Sequence, residues 1–360
     1  MDFYSKSLLS LDPNGNMLQL LKRLQYYRSH FDCNDSNIPK ILNRIGKSLE
    51  DSHIPEFPQL SVYFYLEQLR IEEFYFGGLH PVLADTLISI GEVFAANGQI
   101  CEASEYFSKA LFILNKLNEK GKTLALVLYN ISLIQHHQLL FTDARHTFNL
   151  AIKEQQDASG EFHFDVAEMH LNIGKLQMEY GQIDDAMNNF LEALMIKRMV
   201  AGNNCYKVSE ILYHIGFNHE MKGENSQALN AYHQSLNIVD ESYQDDSHKI
   251  MILHKISLMY QCMGDIGNTI DALQLALYTI VNKLGENHIY TAVVLGILRN
   301  LYAEQGMIEL SKAADKSITD ICCNISESSV SSNNGEFAQI TFKLFGNVVE
   351  DRSILAAAAA

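Results

Sequence analysis

A pair of residues, an aliphatic one followed by a small one, returns along this chain at a nearly fixed interval. It stands as Ile45-Gly46, Ile90-Gly91, Ile131-Ser132, Ile173-Gly174, Ile215-Gly216, Ile256-Ser257 and, altered, Leu298-Arg299, at steps of 45, 41, 42, 42, 41 and 42 residues. A unit of this length cannot enclose a core of its own, so copies must stack and bury their apolar faces against one another. That single constraint turns 360 residues into one elongated array instead of two or three ordinary domains.

The most regular copy spans His163 to Asn204. Val166, Met169, Ile173 and Leu176 lie at helical spacing, then Tyr180-Gly181, then Ile183, Ala186, Phe190, Ala193 and Ile196. The pattern predicts a helical hairpin hinged at Gly181. The same columns recur. Seven residues beyond the small member stands Gly98, Gly181, Gly223, Gly264 or Gly306, with Leu139 in one copy. Then come Ala103, Ala144, Ala186, Ala228, Thr269 and Ser311; Phe107, Phe148, Phe190, Tyr232 and Leu273, failing at Asp315; and Ala110, Ala151, Ala193, Ser235 and Ala276.

Each glycine inside a helix costs roughly 1 kcal/mol against alanine, so Gly46, Gly91, Gly174 and Gly216 imply close packing that offsets the loss. Small residues on the two helices are expected to let their backbones approach, with the Phe or Tyr filling the space between successive hairpins. The hinge glycine supplies the positive φ that ends the first helix.

These columns resemble the tetratricopeptide repeat, and the 41 to 42 residue period is similar to the long variant found in kinesin light chains. Leu284-Gly285-Glu286-Asn287-His288-Ile289-Tyr290-Thr291-Ala292 and Gly78-Leu79-His80-Pro81 resemble the LGxxHPxxA link of those repeats. The likeness covers residues 36 to 323; the first pair departs from it with Pro55, Pro58 and three extra residues, and the last lacks the aromatic. It implies an all-α fold, a right-handed α-α superhelical solenoid of about seven stacked hairpins. The expected division is a capping helix in 1–35, around Met17, Leu18, Leu21, Leu24 and Tyr27 after the turn Asp12-Pro13-Asn14-Gly15, then the array in 36–323 and a tail in 324–360. The tail begins Ser- and Asn-rich, carries the alternation Phe337, Ile340, Phe342 and Leu344, which reads equally as a short strand or a docking segment, and ends in Ala356 to Ala360.

Charge and motif narrow the function. A formal charge of −16 without a long basic block disfavours nucleic acid and anionic membranes, since phosphate neutralisation carries most of such affinity. The first residues lack a signal peptide's apolar core and no run of eighteen apolar residues occurs, so a cytoplasmic protein without membrane insertion is expected. Six cysteines show no paired CxxC spacing, and reduced thiols are expected, Cys322 and Cys323 on two faces of a terminal helix. Fourteen histidines form no HExxH; His136 and His137 point apart, and His214 with His254 is the one pairing worth testing for a metal. No GxSxG or Walker loop occurs, so neither catalysis nor a cofactor is expected.

The family geometry implies that the first helix of each pair lines a groove, through residues two, three and six before the small marker and one, four and five after it. Two before, the rung reads Arg44, Ser89, Asn130, Asn172, His214, Lys255 and Ile297. In the family an asparagine here grips the backbone of an extended peptide, which transfers to Asn130 and Asn172; an amide both donates and accepts, as a peptide group requires. Lys40, Asn43, Arg44 and Lys47 make a basic patch beside Glu50 and Asp51. Farther along, Asp85, Glu92, Glu168, Glu179, Glu210, Glu220 and Glu304 outnumber Lys175 and Lys255. The expected ligand is a protein or extended peptide, basic or neutral along most of its length, with any acidic end near Arg44. Tyr129, Tyr213 and Phe217 read equally as anchors or as packing between repeats. The function expected is a non-catalytic scaffold or adaptor; a regulatory subunit of an enzyme and a self-associating solenoid are the alternatives.

Overall fold

The computed structural model describes residues 16–30, 37–50, 57–203, 205–242 and 246–328. The turn at Asp12 to Gly15, Pro55, the Phe337 to Leu344 alternation and the terminal alanines lie outside these residues. Among the described residues every regular element is a helix: α1 (Asn16–His30), α2 (Ile38–Glu50), α3 (Phe57–Phe76), α4 (Pro81–Ala96), α5 (Ile100–Leu117), α6 (Lys122–His137), α7 (Phe141–Ser159), α8 (Phe164–Glu179), α9 (Ile183–Ala201), α10 (Tyr206–Met221), α11 (Asn225–Ser242), α12 (Asp246–Cys262), α13 (Ile266–Leu284), α14 (Ile289–Glu304) and α15 (Ile308–Ser328). From α2 onward they pair into seven hairpins, in the register read from the repeat.

The chain divides into two compact units, 1–169 and 170–360, with the boundary inside α8. In the first unit Leu24 of α1 joins Ile38, Leu42, Ile45 and Phe64 in one apolar cluster, and Leu83, Leu87, Phe107 and Val127 join α4, α5 and α6 in the next. In the second, Leu171, Phe190, Val208 and Ile211 are one cluster; Tyr232, Leu253 and Ile256 belong to another, and Leu273, Val294 and Leu301 to a third. The first cluster joins α1 to one hairpin and the others each draw on two hairpins, as they must when no hairpin can cover its own apolar face.

The helical glycines have a more local reason than the one expected from sequence. The aromatic ring packs against the next hairpin, as Phe190 does on Val208, Ile211 and His214, and it also lies on the glycine of its own hairpin. A Cβ at Gly174 would sit 2.6 Å from Phe190 Cε1, at Gly91 2.6 Å from Phe107 Cε1, and at Gly216 2.7 Å from Tyr232 Cε1. Gly46 meets Tyr65 in the same way, which supplies the aromatic column of the first hairpin, displaced by its three extra residues. The ring thus packs flat against helix backbone, where dispersion contacts recover what glycine loses in entropy.

In two of the three hairpins where the glycine changes its partner changes with it; Ser132 keeps Phe148. Ser257 faces the column where Leu273 replaces the ring, and its hydroxyl is turned back to the His254 carbonyl at 2.7 Å. Arg299 stands opposite Asp315, and the two form an ion pair at 3.0 Å. The apparent failure of the pattern in the last hairpin is a paired substitution.

The hinge column behaves as local geometry dictates. Gly98, Gly181, Gly223, Gly264 and Gly306 have φ between 71° and 76°. Leu139 adopts φ 63° in the same turn, donating to the His136 carbonyl at 3.0 Å as Gly98 donates to Ala95. A left-handed leucine costs about 1–2 kcal/mol, and this one is 60% exposed, so little packing compensates. Leu139→Gly is expected to raise stability by about 0.5–1 kcal/mol after glycine's added unfolded-state entropy, read as a higher urea midpoint. An unchanged or lower midpoint would contradict this.

Candidate functional site

The link histidines are helix caps. His80 Nδ1 accepts from the Val82 amide at 3.3 Å, His163 Nδ1 from Asp165 at 3.2 Å and His288 Nδ1 from Tyr290 at 3.2 Å. Each satisfies a donor that the first helical turn leaves open. His136 is buried and His137 exposed, so the adjacent pair does point apart. Among the described residues no group of three or more histidine, cysteine or carboxylate side chains is placed to hold a metal, and His214 and His254 belong to none. Cys101, Cys205, Cys262, Cys322 and Cys323 are free thiols.

The first-helix face is polar, but much of it is spent on holding neighbouring first helices together. In the first unit Thr123 of α6 donates to Asp85 of α4 at 3.1 Å, and Asn130 of α6 donates to Glu92 of α4 at 3.1 Å. Burial pushes both the Asp85 and Glu92 carboxyls up from their ordinary range, against these hydrogen bonds. Ser89 turns its hydroxyl to the Asp85 carbonyl oxygen at 3.3 Å. In the second unit Lys175 of α8 meets Glu210 of α10 at 2.6 Å, with Lys207 on the other carboxylate oxygen at 3.0 Å. Burial alone would raise the Glu210 carboxyl; the two ammonium groups overcome it and hold it at about 2.

Glu220 is a second junction. It receives the Tyr232 hydroxyl at 2.7 Å and Lys255 Nζ at 2.9 Å, tying α10 to α11 and α12. Lys255 also lies 4.6 Å from the centre of the Phe217 ring. Burial, then the Glu220 charge, pushes the Tyr232 phenol up strongly. Tyr65 donates to Glu50 at the same repeat position. Copies whose aromatic is Phe carry Ala95, His136 or Met178 there instead, so tyrosine and glutamate occur together. Glu50 and Glu220, counted from sequence as groove charges, are partners of the core rings.

Other rungs also move. The position three before the marker is not generally groove-lining: Ile88, Leu171 and His254 are buried. Tyr213 stands against Tyr232, His214 and His248, with centroids 5.5 to 5.6 Å apart, which is packing between repeats. His214 is stacked on Phe190 at 5.6 Å and 20°; burial, with Lys175 adding to it, lowers its pKa to about 4. Asn172 and Glu168 are half-buried on α8, and Asn172 makes no side-chain hydrogen bond among the described residues. Asn43 and Arg44 line a cleft of about 630 Å³ together with Pro39, Lys40, Gln68, Glu72, Tyr75, Phe76 and Val82.

Sequence reasoning did not single out the floor of that cleft. Gln68 Nε2 donates to Glu72 at 2.8 Å and to Thr86 at 2.9 Å, and Thr86 donates to the other Glu72 oxygen at 2.7 Å. A signal was present: Gln68 occupies the column filled elsewhere by Ala110, Ala151, Ala193, Ser235 and Ala276. Thr86 occupies one filled by Val127, Met169, Ile211, Ile252 and Val294.

The sequence matches no family model and no curated protein. Among solved structures, BtubC (BKLC) from P. vanneervenii is similar with a TM-score of 0.54 at 16% identity, over 66% of this chain and 93% of that one. A Rap protein complexed with competence and sporulation factor has a TM-score of 0.47 at 15% identity, over 90% and 91% of the two chains. TPR-like repeats from Podosopora anserina have a TM-score of 0.41 at 12% identity, over 67% and 96%. The fold is all-α, a helical repeat of the tetratricopeptide type. Among the described residues no helix is long and apolar enough to cross a membrane.

Proposed function

We propose that this helical repeat scaffold is a non-catalytic adaptor that binds a protein through an extended segment laid on its first helices, with 1–35 as cap, 36–323 as the binding array and 324–360 as tail. One observation carries the reading. Asn172 presents a half-buried amide with no side-chain hydrogen bond among the described residues, at the rung where neighbouring repeats carry other hydrogen-bonding side chains. A half-buried amide left unengaged suits a peptide group, which both donates and accepts. Asn130 takes the same role by exchanging its bond to Glu92 for one to the ligand.

The charge preference is narrower than the count of acids suggests. Glu210 and Glu220 are neutralised by lysines, so attraction for a basic segment rests on Asp85, Glu92, Glu168, Glu179 and Glu304, with any acidic end near Arg44. The test is capture from cell extract with wild type beside Asn130→Ala with Asn172→Ala. Proteins retained by wild type and lost by the variant are groove ligands, and identical protein sets would refute the rung. Glu210→Lys is unsuitable for testing ligand charge, because it would place a third ammonium beside Lys175 and Lys207.

A further inference from the structure

The cleft at α2, α3 and the start of α4 has four chemical parts. Its floor holds Glu72, 4% exposed, in a position with no lysine or arginine at ion-pairing distance among the described residues. Beside it Gln68 is 5% exposed, and its Oε1 has no hydrogen-bond partner. The amide orientation is fixed by its neighbours: Thr86 gives its one hydroxyl proton to Glu72, so the amide atom 2.9 Å from that hydroxyl is the donor nitrogen, which leaves the oxygen on the other side. The rim carries the cations Lys40 and Arg44, and the walls are Pro39, Val82, Tyr75 and Phe76.

Packing does not explain this floor. The other repeats close the Gln68 column with alanine or serine and the Thr86 column with apolar residues. A buried polar network with an open acceptor is less stable than an apolar replacement unless something completes it. Burial also pushes the Glu72 carboxyl up, a displacement that an arriving cation reverses.

We infer that this cleft binds an apolar α-amino zwitterion, a free amino acid or the equivalent short peptide, with its ammonium against Gln68 Oε1 and Glu72, its carboxylate at Arg44 and Lys40, and its side chain between Tyr75, Phe76, Val82 and Pro39. An ammonium brings donors and a positive charge to the two acceptors of the floor. A carboxylate answers the rim, where a simple amine would be repelled. At about 630 Å³ the cleft has room for one or two apolar residues. The cleft shares Arg44 with the acidic end of the proposed groove, but Asn172, on which the groove reading rests, lies in a different unit.

The test is calorimetric titration of the full chain with leucine, leucyl-leucine, N-acetyl-leucyl-leucine and leucyl-leucine amide. Leucyl-leucine or leucine is expected to bind at least tenfold more tightly than both blocked forms, since each loses a charged hydrogen bond. Tighter binding of leucine assigns a free amino acid, and tighter binding of the dipeptide a peptide. Arg44→Ala, at an exposed side chain that the fold does not need, is expected to weaken binding about tenfold, and Gln68→Met by a similar factor with the helical content of wild type. Asn172→Ala leaves it unchanged. Equal binding of the acetylated peptide, or no binding of leucine or leucyl-leucine at millimolar concentration, overturns the proposal whatever the groove experiment shows.

Discussion

Phe190→Ala is expected to destabilise the protein by about 3–5 kcal/mol, the range for removing a fully buried phenylalanine. The ring is wholly inaccessible, lies on Gly174 and joins Leu171, Val208 and Ile211 in one cluster, so its loss opens a cavity that three helices share. A companion change gives the opposite of the usual helix rule. Gly174→Ala ordinarily gains roughly 1 kcal/mol in a helix. Here the new Cβ would stand 2.6 Å from Phe190 Cε1, and displacing a buried ring costs about 1–3 kcal/mol, so a net loss of up to about 2 is expected. The hairpin of α6 and α7 carries Ser132 in the glycine column with Phe148 still buried, so a Cβ there is tolerated and the cost is modest. Combining Gly174→Ala with Phe190→Leu is expected to cost less than the sum of the two. Urea unfolding measures all three. A stabilised Gly174→Ala would rule out the ring-on-backbone account.

Acidification from pH 7 to pH 5 is expected to weaken the second unit by about 2–3 kcal/mol. Burial holds His214 and His254 neutral, each with a pKa lowered to about 4 from an ordinary 6.5. Lys175 acts with burial at His214, and Lys255 at His254. Because the folded values are depressed, the unfolded chain takes up protons first. Stability is therefore intact above about pH 6.5 and declines steadily as pH falls toward 4. Two such groups would give up to about 4 kcal/mol at pH 5, and the part-exposed position of His214 reduces this. His214→Gln with His254→Gln is expected to flatten the slope between pH 7 and 5. Below that interval Glu210 takes over, its contribution present above about 4.5 and lost as pH falls through about 2. Urea midpoints at pH 7, 6 and 5 decide the matter: an equal slope in wild type and the double variant would remove the histidines from the explanation.

Both predictions rest on contacts whose partners lie at unequal distances in sequence, and that distance governs what could be read early. Gly174 and Phe190 are sixteen residues apart, as are Gly91 with Phe107, Ser257 with Leu273 and Arg299 with Asp315. Their joint variation is visible in the columns, whereas the seat of the ring on its own hairpin's glycine is not. Tyrosine with glutamate, in Tyr65 with Glu50 and Tyr232 with Glu220, was equally present and went unseen because the glutamates were counted as groove charge. The Gln68 floor could be seen as an exception to an alanine column, though not as one wall of a cleft.

The sequence by itself determined the helical hairpins, their register and the hinges, because these depend on groups within one turn or one repeat: apolar spacing, a positive φ at Gly181, an imidazole two residues before the amide it caps. Tertiary structure decided which polar side chains remain for a ligand. Lys175 reaches Glu210, Asn130 reaches Glu92 and Lys255 reaches Glu220 only because stacking sets adjacent first helices side by side, 35 to 38 residues on in the chain. A charge on a helix face has the same sequence signature whether it waits for a partner protein or holds the next helix. The difference lies in the spacing between stacked helices, which no single repeat encodes.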